Sequence, residues 1–146
     1  MKRFEGLFDL RGRVAVVAGG AGAIGSALAE GLAAYGASVT VAGRNEEAAV
    51  RVAQDIAEAT GACTLGLRVD ANDPDSVAAL VDHTEGQLGP VSVLVNAVGT
   101  HIEQPAQDVT PEAWDRVVDL NLRAAFLLSQ GAARAMIASQ TPGSIL

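Results

Sequence analysis

The segment Val14-Ala15-Val16-Val17-Ala18-Gly19-Gly20-Ala21-Gly22-Ala23-Ile24-Gly25 constrains this chain more than any other. An apolar, β-branched run passes into a glycine-rich turn and directly into a helix. Ile24, Ala27, Leu28, Gly31, Leu32 and Tyr35 follow the helical spacing i, i+3, i+4, i+7, i+8, i+11. That order suits a dinucleotide pyrophosphate. Glycines let the backbone turn tightly and approach phosphate oxygens, and the helix start offers unpaired N–H groups at a positive dipole end. Gly20-x-Gly22-x-x-Gly25 meets the strand–turn–helix context that a G-x-G-x-x-G pattern requires. Four glycines within residues 19–25 exceed what packing a helix on a strand needs.

The alternation continues. Gly36 stands where a helix C-terminal cap belongs, and Ser38 to Ala42 reads as a second strand. Asn45 caps a second helix with Glu46 and Glu47 in its first turn; Ala49, Val52, Ala53 and Ile56 face inward, and Gly61 ends it. Thr64 to Val69 is a third strand. Asp73-Pro74 opens a third helix whose apolar stripe is Val77, Leu80, Val81 and Leu88. Val91 to Val95 is a fourth strand, and one long fourth helix is expected from Thr110-Pro111 to about Ser139. Gly143 to Leu146 looks like the opening of a fifth strand. Strands separated by helices of this length imply an α/β fold, a Rossmann-type doubly wound parallel sheet with helices on both faces. Ending there would leave the fourth strand as an apolar edge, so residues 1–146 are expected to be the N-terminal part of a longer single-domain protein.

Bulk properties narrow the partners. The chain is 49% apolar and 18% charged, which supports a packed core. A net charge of −7 argues against nucleic acid and against an anionic membrane surface. Glu5 and Asp9 interrupt any leader peptide that Met1-Lys2-Arg3 would begin, and no apolar run reaches the ~20 residues of a membrane span. The single cysteine, Cys63, fits a reducing cytoplasm; assigned to a strand, it is expected to be a plain buried thiol. His83 falls among polar neighbours, His101 in a loop, and no metal-ligand spacing occurs.

Ala18-Gly19-Gly20-Ala21-Gly22-Ala23-Ile24-Gly25 resembles the T-G-x-x-x-G-x-G fingerprint of the short-chain dehydrogenases/reductases, and the chain is similar to their 3-oxoacyl-ACP reductase and gluconate 5-dehydrogenase-like members. Gly19 and Gly25 match the outer glycines and Ile24 the residue whose backbone faces the pyrophosphate; Ala18 and Ala23 replace a threonine and the middle glycine. Phe8 to Val14 looks like the family's lead-in to its first strand. Leu67-Arg68-Val69-Asp70 resembles the third-strand end, where the resemblance implies that Asp70, followed by Ala71, binds the adenine amine. Asn96-Ala97-Val98-Gly99 resembles the N-N-A-G motif: Asn96 and Gly99 match, Ala97 and Val98 do not. By the resemblance Asn96 braces the strand end beside the cofactor; by itself it is also an ordinary turn residue.

The position after the second strand sorts nicotinamide cofactors. An acid there binds the ribose 2′-hydroxyl, whereas an arginine accommodates a 2′-phosphate. Gly43-Arg44-Asn45 stands there with no acid before Glu46, so NADP(H) is expected over NAD(H). A solvated surface arginine is the alternative reading.

Trp114, Val117, Val118, Asn121, Leu122 and Ala125 share one helical face. A carboxamide in an apolar stripe needs partners, so Asn121 is either a satisfied core residue or a functional one. Val118-Asp119-Leu120-Asn121-Leu122 resembles the family segment whose asparagine kinks the helix and holds a water in the proton relay. The resemblance further implies a tyrosine acid/base, a lysine four residues on and a preceding serine. The one tyrosine is Tyr35, the one lysine is Lys2, and Ser144 comes too early. The expected parent moves hydride between NADP(H) and a small carbonyl compound or secondary alcohol, as a homo-oligomer (dimer or tetramer). The 146 residues alone are expected to be inactive. A complete, non-catalytic nucleotide-binding module is the rival reading.

Overall fold

Strand β1 (Val14–Ala18) is the axis of the fold, buried along its whole length. The computed structural model describes residues 6–146. Met1, Lys2, Arg3 and Glu5, on which the leader-peptide argument and the search for a lysine drew, lie outside them. β1 pairs in parallel with β2 (Ser38–Gly43) on one side and β4 (Val93–Asn96) on the other. β3 (Thr64–Arg68) adds beyond β2 and β5 (Ser144–Ile145) beyond β4, giving the order β3-β2-β1-β4-β5. The sheet is the expected Rossmann-type parallel sheet.

Alternation along β1 splits the core into two layers. Val14, Val16 and Ala18 pack with Val77, Leu80 and Val81 of α3 (Pro74–Leu88) and Leu128, Ala132 and Met136 of α5 (Ala124–Ala138). Ala15 and Val17 pack with Ala29 and Ala33 of α1 (Ala23–Ala34) and Ala49, Ala53 and Ile56 of α2 (Glu46–Thr60). Buried alanines on α1 and α2 bring those helices close to the sheet. Asn45 accepts from the Ala48 N–H at 3.1 Å and Asp73 from the Asp75 N–H at 3.0 Å, so both expected caps form.

Three expectations need correction. The fourth helix is not one uninterrupted element. α4 (Pro111–Val118) passes into a wide π-helical turn, Asp119–Arg123, before α5 begins. Asn121 Nδ2 donates to the Val117 carbonyl at 2.8 Å, inserting a side chain where the backbone ladder would run. An extra residue in a turn rotates the helix by ~100°, so a stripe drawn across residues 114–125 does not stay on one face. α4 buries none of its residues, Trp114 included; Asn121 and Leu122 are exposed as well, and the buried face is Ala124, Leu128, Ala132 and Met136. Cys63 is exposed and precedes β3 rather than lying buried in it. β4 starts at Val93 instead of Val91: Ser92 is buried and meets Val14 through its N–H and its hydroxyl.

Candidate functional site

The strands all end at one rim, and a cleft of about 480 Å³ runs along it. Gly19, Ala21 and Gly22 line it after β1, Gly43, Arg44 and Asn45 after β2, Val69 to Asn72 after β3, and Ala97, Val98 and Gly99 after β4. Leu120 closes one side from the π-helical turn. A crevice outside the carboxyl ends of parallel strands, where the winding reverses at β1, is where doubly wound sheets take ligands.

Gly19 holds the turn open. Its φ is +78°, and the Gly19 and Gly20 N–H groups donate to the Ala42 carbonyl at 2.8 and 3.1 Å. A Cβ at Gly19 would lie 2.6 Å from the Ala97 carbonyl oxygen, so the turns after β1 and β4 touch backbone to backbone. Gly22 then begins α1 with extended dihedrals and no side-chain cap. The first-turn N–H groups of Ala23, Ile24 and Gly25 therefore have no partner inside the helix. These three residues form that turn and do not line the cleft wall. A Cβ at Gly25 would overlap the Gly19 carbonyl, so this glycine lets α1 sit on the turn. A backbone cradle that side chains would fill, facing a helix start, fits a pyrophosphate.

Arg44 lies at the rim of the cleft and makes no ion pair among the described residues. Asp70 is exposed; its N–H donates to Ser76 Oγ at 2.9 Å and its Oδ1 accepts from the Asn72 N–H at 3.0 Å, leaving Oδ2 without a hydrogen-bond partner among the described residues. Ala71 is buried beside it. Asn96 does not line the cleft: its Oδ1 accepts from the Val98 N–H at 3.0 Å and shapes the turn that carries Ala97 and Gly99. Asn72 and Leu120 also line the cleft and were not singled out by sequence, and Asn45, read there as a helix cap, lines it too. The signal at Asn72 is three-dimensional, since its Oδ1 is buried with no hydrogen-bond partner among the described residues.

Asn121 is committed to the chain itself. Nδ2 donates to Thr100 O at 2.7 Å and to Val117 O at 2.8 Å, and Oδ1 accepts from the Thr100 N–H at 3.3 Å. Both amide hydrogens are spent, so the side chain ties the loop after β4 to the π-helical turn. Gly99 makes room for it, because a Cβ there would lie 2.8 Å from Asn121 Oδ1. Beyond Thr100, His101 and Glu103 are both exposed and 3.5 Å apart. Tyr35 caps the far end of α1, roughly 18 Å along the helix from the cleft, and packs against Phe8 with ring centroids 6.2 Å apart. Among the described residues no helix is long and apolar enough to cross a membrane, and no cluster of three or more His, Cys, Asp or Glu is placed to hold a metal ion.

The fold and cleft are those of the doubly wound α/β class. The family model for short chain dehydrogenase matches residues 13–146, and the chain belongs to that family. It is 37% identical over 131 residues to gluconate 5-dehydrogenase of Gluconobacter oxydans, covering 90% of this chain and 51% of the relative. It is 32% identical over 138 residues to NAD-dependent glycerol dehydrogenase of Listeria innocua, covering 94% and 53%. A crystal structure of a short-chain type dehydrogenase/reductase from Mycobacterium marinum superposes with a TM-score of 0.91 at 37% identity, over 97% of this chain and 55% of that one. The chain spans about half the length of the curated relatives it matches.

Proposed function

We propose that this chain is the NADP(H)-binding part of an oxidoreductase that moves hydride between the nicotinamide and a small carbonyl compound or secondary alcohol. The observation that carries this is a cleft running from the Gly19–Gly22 turn past Arg44 to Asp70 in a chain of this family. The glycine turn and the start of α1 hold the pyrophosphate, and Asp70 with Ala71 holds the adenine. Asn96 and Asn121 fix the loop after β4 on which substrate approaches. Bound there, the cofactor supplies or accepts the hydride. The relative named as NAD-dependent leaves the choice between NAD and NADP to residues of this chain. Arg44 supports NADP, since a guanidinium gives a 2′-phosphate paired donors and no acid stands beside it before Glu46.

We further propose that residues 1–146 act as the N-terminal part of a longer polypeptide, a soluble cytoplasmic homo-oligomer. The lone Tyr35 stands at the wrong end of α1 for proton transfer at the cleft. Turnover by the purified 146-residue chain would count against this.

The cofactor choice is tested by titrating NADP⁺ and NAD⁺ into the chain and into Arg44→Asp. Charge-assisted hydrogen bonds contribute about 1.5–3 kcal/mol, so the NADP-to-NAD affinity ratio should fall at least ~10-fold. An unchanged ratio rejects the role of Arg44.

A further inference from the structure

Asn72 carries a feature that the fold does not explain. Its carboxamide oxygen is buried and accepts no hydrogen bond among the described residues, although Asn72 itself lines the cleft. An acceptor withdrawn from water without a donor is costly, and most buried polar atoms avoid it. The turn geometry does not require the side chain either. The Asn72 N–H satisfies Asp70 Oδ1, and the following helix is capped by Asp73, whose side chain takes the Asp75 N–H. The carboxamide is thus spare, and rotation about its Cβ–Cγ bond is the move by which it would meet a donor. The cleft is the side from which a donor can arrive.

Strand order says which part of a dinucleotide comes there. From the phosphate turn after β1, the cleft reaches the end of β2 and then β3, a distance of about 10 Å at normal strand spacing. With pyrophosphate at Gly19–Gly22 and ribose beside Arg44, the base falls against Val69 to Asn72. We propose that Asn72 reads the adenine base, a role that rests on the dinucleotide reading of the cleft. The exocyclic amine of adenine carries two hydrogens. One meets the Oδ2 of Asp70, and the other meets Asn72 Oδ1 while Asn72 Nδ2 donates to the ring nitrogen N7. A carboxamide matches that donor–acceptor pair in the way asparagine pairs with adenine elsewhere. Hypoxanthine replaces the amine with an oxygen, so it loses the Asp70 bond and forces Asn72 to turn over.

The test is equilibrium binding of ADP and of IDP to the chain and to Asn72→Ala and Asn72→Asp, each checked for unchanged far-ultraviolet circular dichroism. The chain should prefer ADP. Asn72→Ala should reduce the ADP-to-IDP affinity ratio roughly three- to tenfold, the range of one or two modest hydrogen bonds. Asn72→Asp should keep or raise the ratio, because a carboxylate still accepts from the amine and repels the hypoxanthine oxygen. If either variant fails to fold, the other decides. The proposal is overturned, with the cofactor reading intact, if ADP binds but Asn72→Ala leaves the ratio unchanged. The same holds if ADP and IDP bind the unmodified chain equally, or if Asn72→Asp loses the preference. If neither nucleotide binds the unmodified chain, the cofactor reading falls and this role with it.

Discussion

Gly19→Ala should damage both the fold and the cleft, whereas Gly43→Ala should damage the cleft alone. Gly19 sits at φ +78°, where an L-residue is strained by ~1 kcal/mol or more. Its new Cβ would also lie 2.6 Å from the Ala97 oxygen, 2.7 Å from the Ala97 carbonyl carbon and 3.0 Å from the Val98 nitrogen. All three are backbone atoms held by the β1–β4 pairing and the Ala97 N–H to Ala18 carbonyl bond, so no flexible side chain can swing away. Overpacking of this kind costs ~1–3 kcal/mol, which brings the total to roughly 2–5 kcal/mol. Against a typical stability of ~5–15 kcal/mol, that is a large fraction. Gly43 has an ordinary φ, nothing within 4 Å of its would-be Cβ, and a place on the cleft wall. Its alanine variant should hold stability to within ~0.5 kcal/mol while weakening nucleotide binding. Urea unfolding followed by circular dichroism separates the two. The Gly19→Ala midpoint should fall by ~1–2 M at an ordinary m-value, and that of Gly43→Ala should stay in place. An unshifted midpoint for Gly19→Ala, or equal loss for both variants, would refute the argument that backbone contact between the two turns sets the site.

Asn121→Ala removes three hydrogen bonds at a solvent-exposed position, so water replaces part of them; we expect a loss of ~1–2 kcal/mol and faster amide exchange at Thr100. Exchange at Thr100 unchanged by the substitution would contradict the anchoring role. The buried hydroxyls of Thr40 and Thr84 are 3.1 Å apart, and Thr84 also donates to the Leu80 carbonyl at 2.9 Å. Thr84→Val should cost ~1–3 kcal/mol by stranding Thr40, and adding Thr40→Val should recover most of it; a strictly additive double variant argues against the pairing. The Arg11 side chain and N–H both donate to Asp9, which lowers the Asp9 carboxyl from 3.8 to about 2. A lowered pKa means the contact stabilises above the ordinary carboxylate range and is lost as pH falls toward 2. Carboxyl NMR should find that midpoint and see it rise toward 3.8 in Arg11→Gln.

Elements set by short-range chemistry were legible in the sequence. The run Val14–Ala18 is buried on both faces and could only be an inner strand, and Asn45, Asp73 and Thr110 cap the helices they precede. Arg44, Asp70, Ala71, Ala97 and Gly99 also meet in one cleft, because each ends or follows a strand and parallel strands all end on the same side. What escaped depends on contacts between distant residues. The resemblance at residues 118–122 implied a kink at Asn121, but no helical period shows its form, a π-helical turn in which Asn121 bonds Val117 and also Thr100, 21 residues away. That turn rotates the rest of the helix, so a stripe sound as periodicity does not survive as a core face. The exposure of Cys63 and the shielding of Asn72 likewise depend on what packs over them.

The loop after β4 shows how one chemical constraint creates the next. Asn96 bends the chain by accepting from the Val98 N–H, which brings the Ala97 carbonyl against the turn after β1. That contact demands a glycine at residue 19, the same residue whose positive φ shapes the turn after β1. Two residues past the bend, Gly99 must lack a Cβ for Asn121 to reach Thr100, and that reach opens the helix into its π turn. The π turn then presents Leu120 to the cleft. Substitution at any of these positions should therefore move more than its own contacts, because the cleft wall is the sum of two backbone turns and one helix defect that hold each other in place. Arg44 and Asn72 border the same assembly, since they share a neighbouring hollow with Thr100 and Leu120.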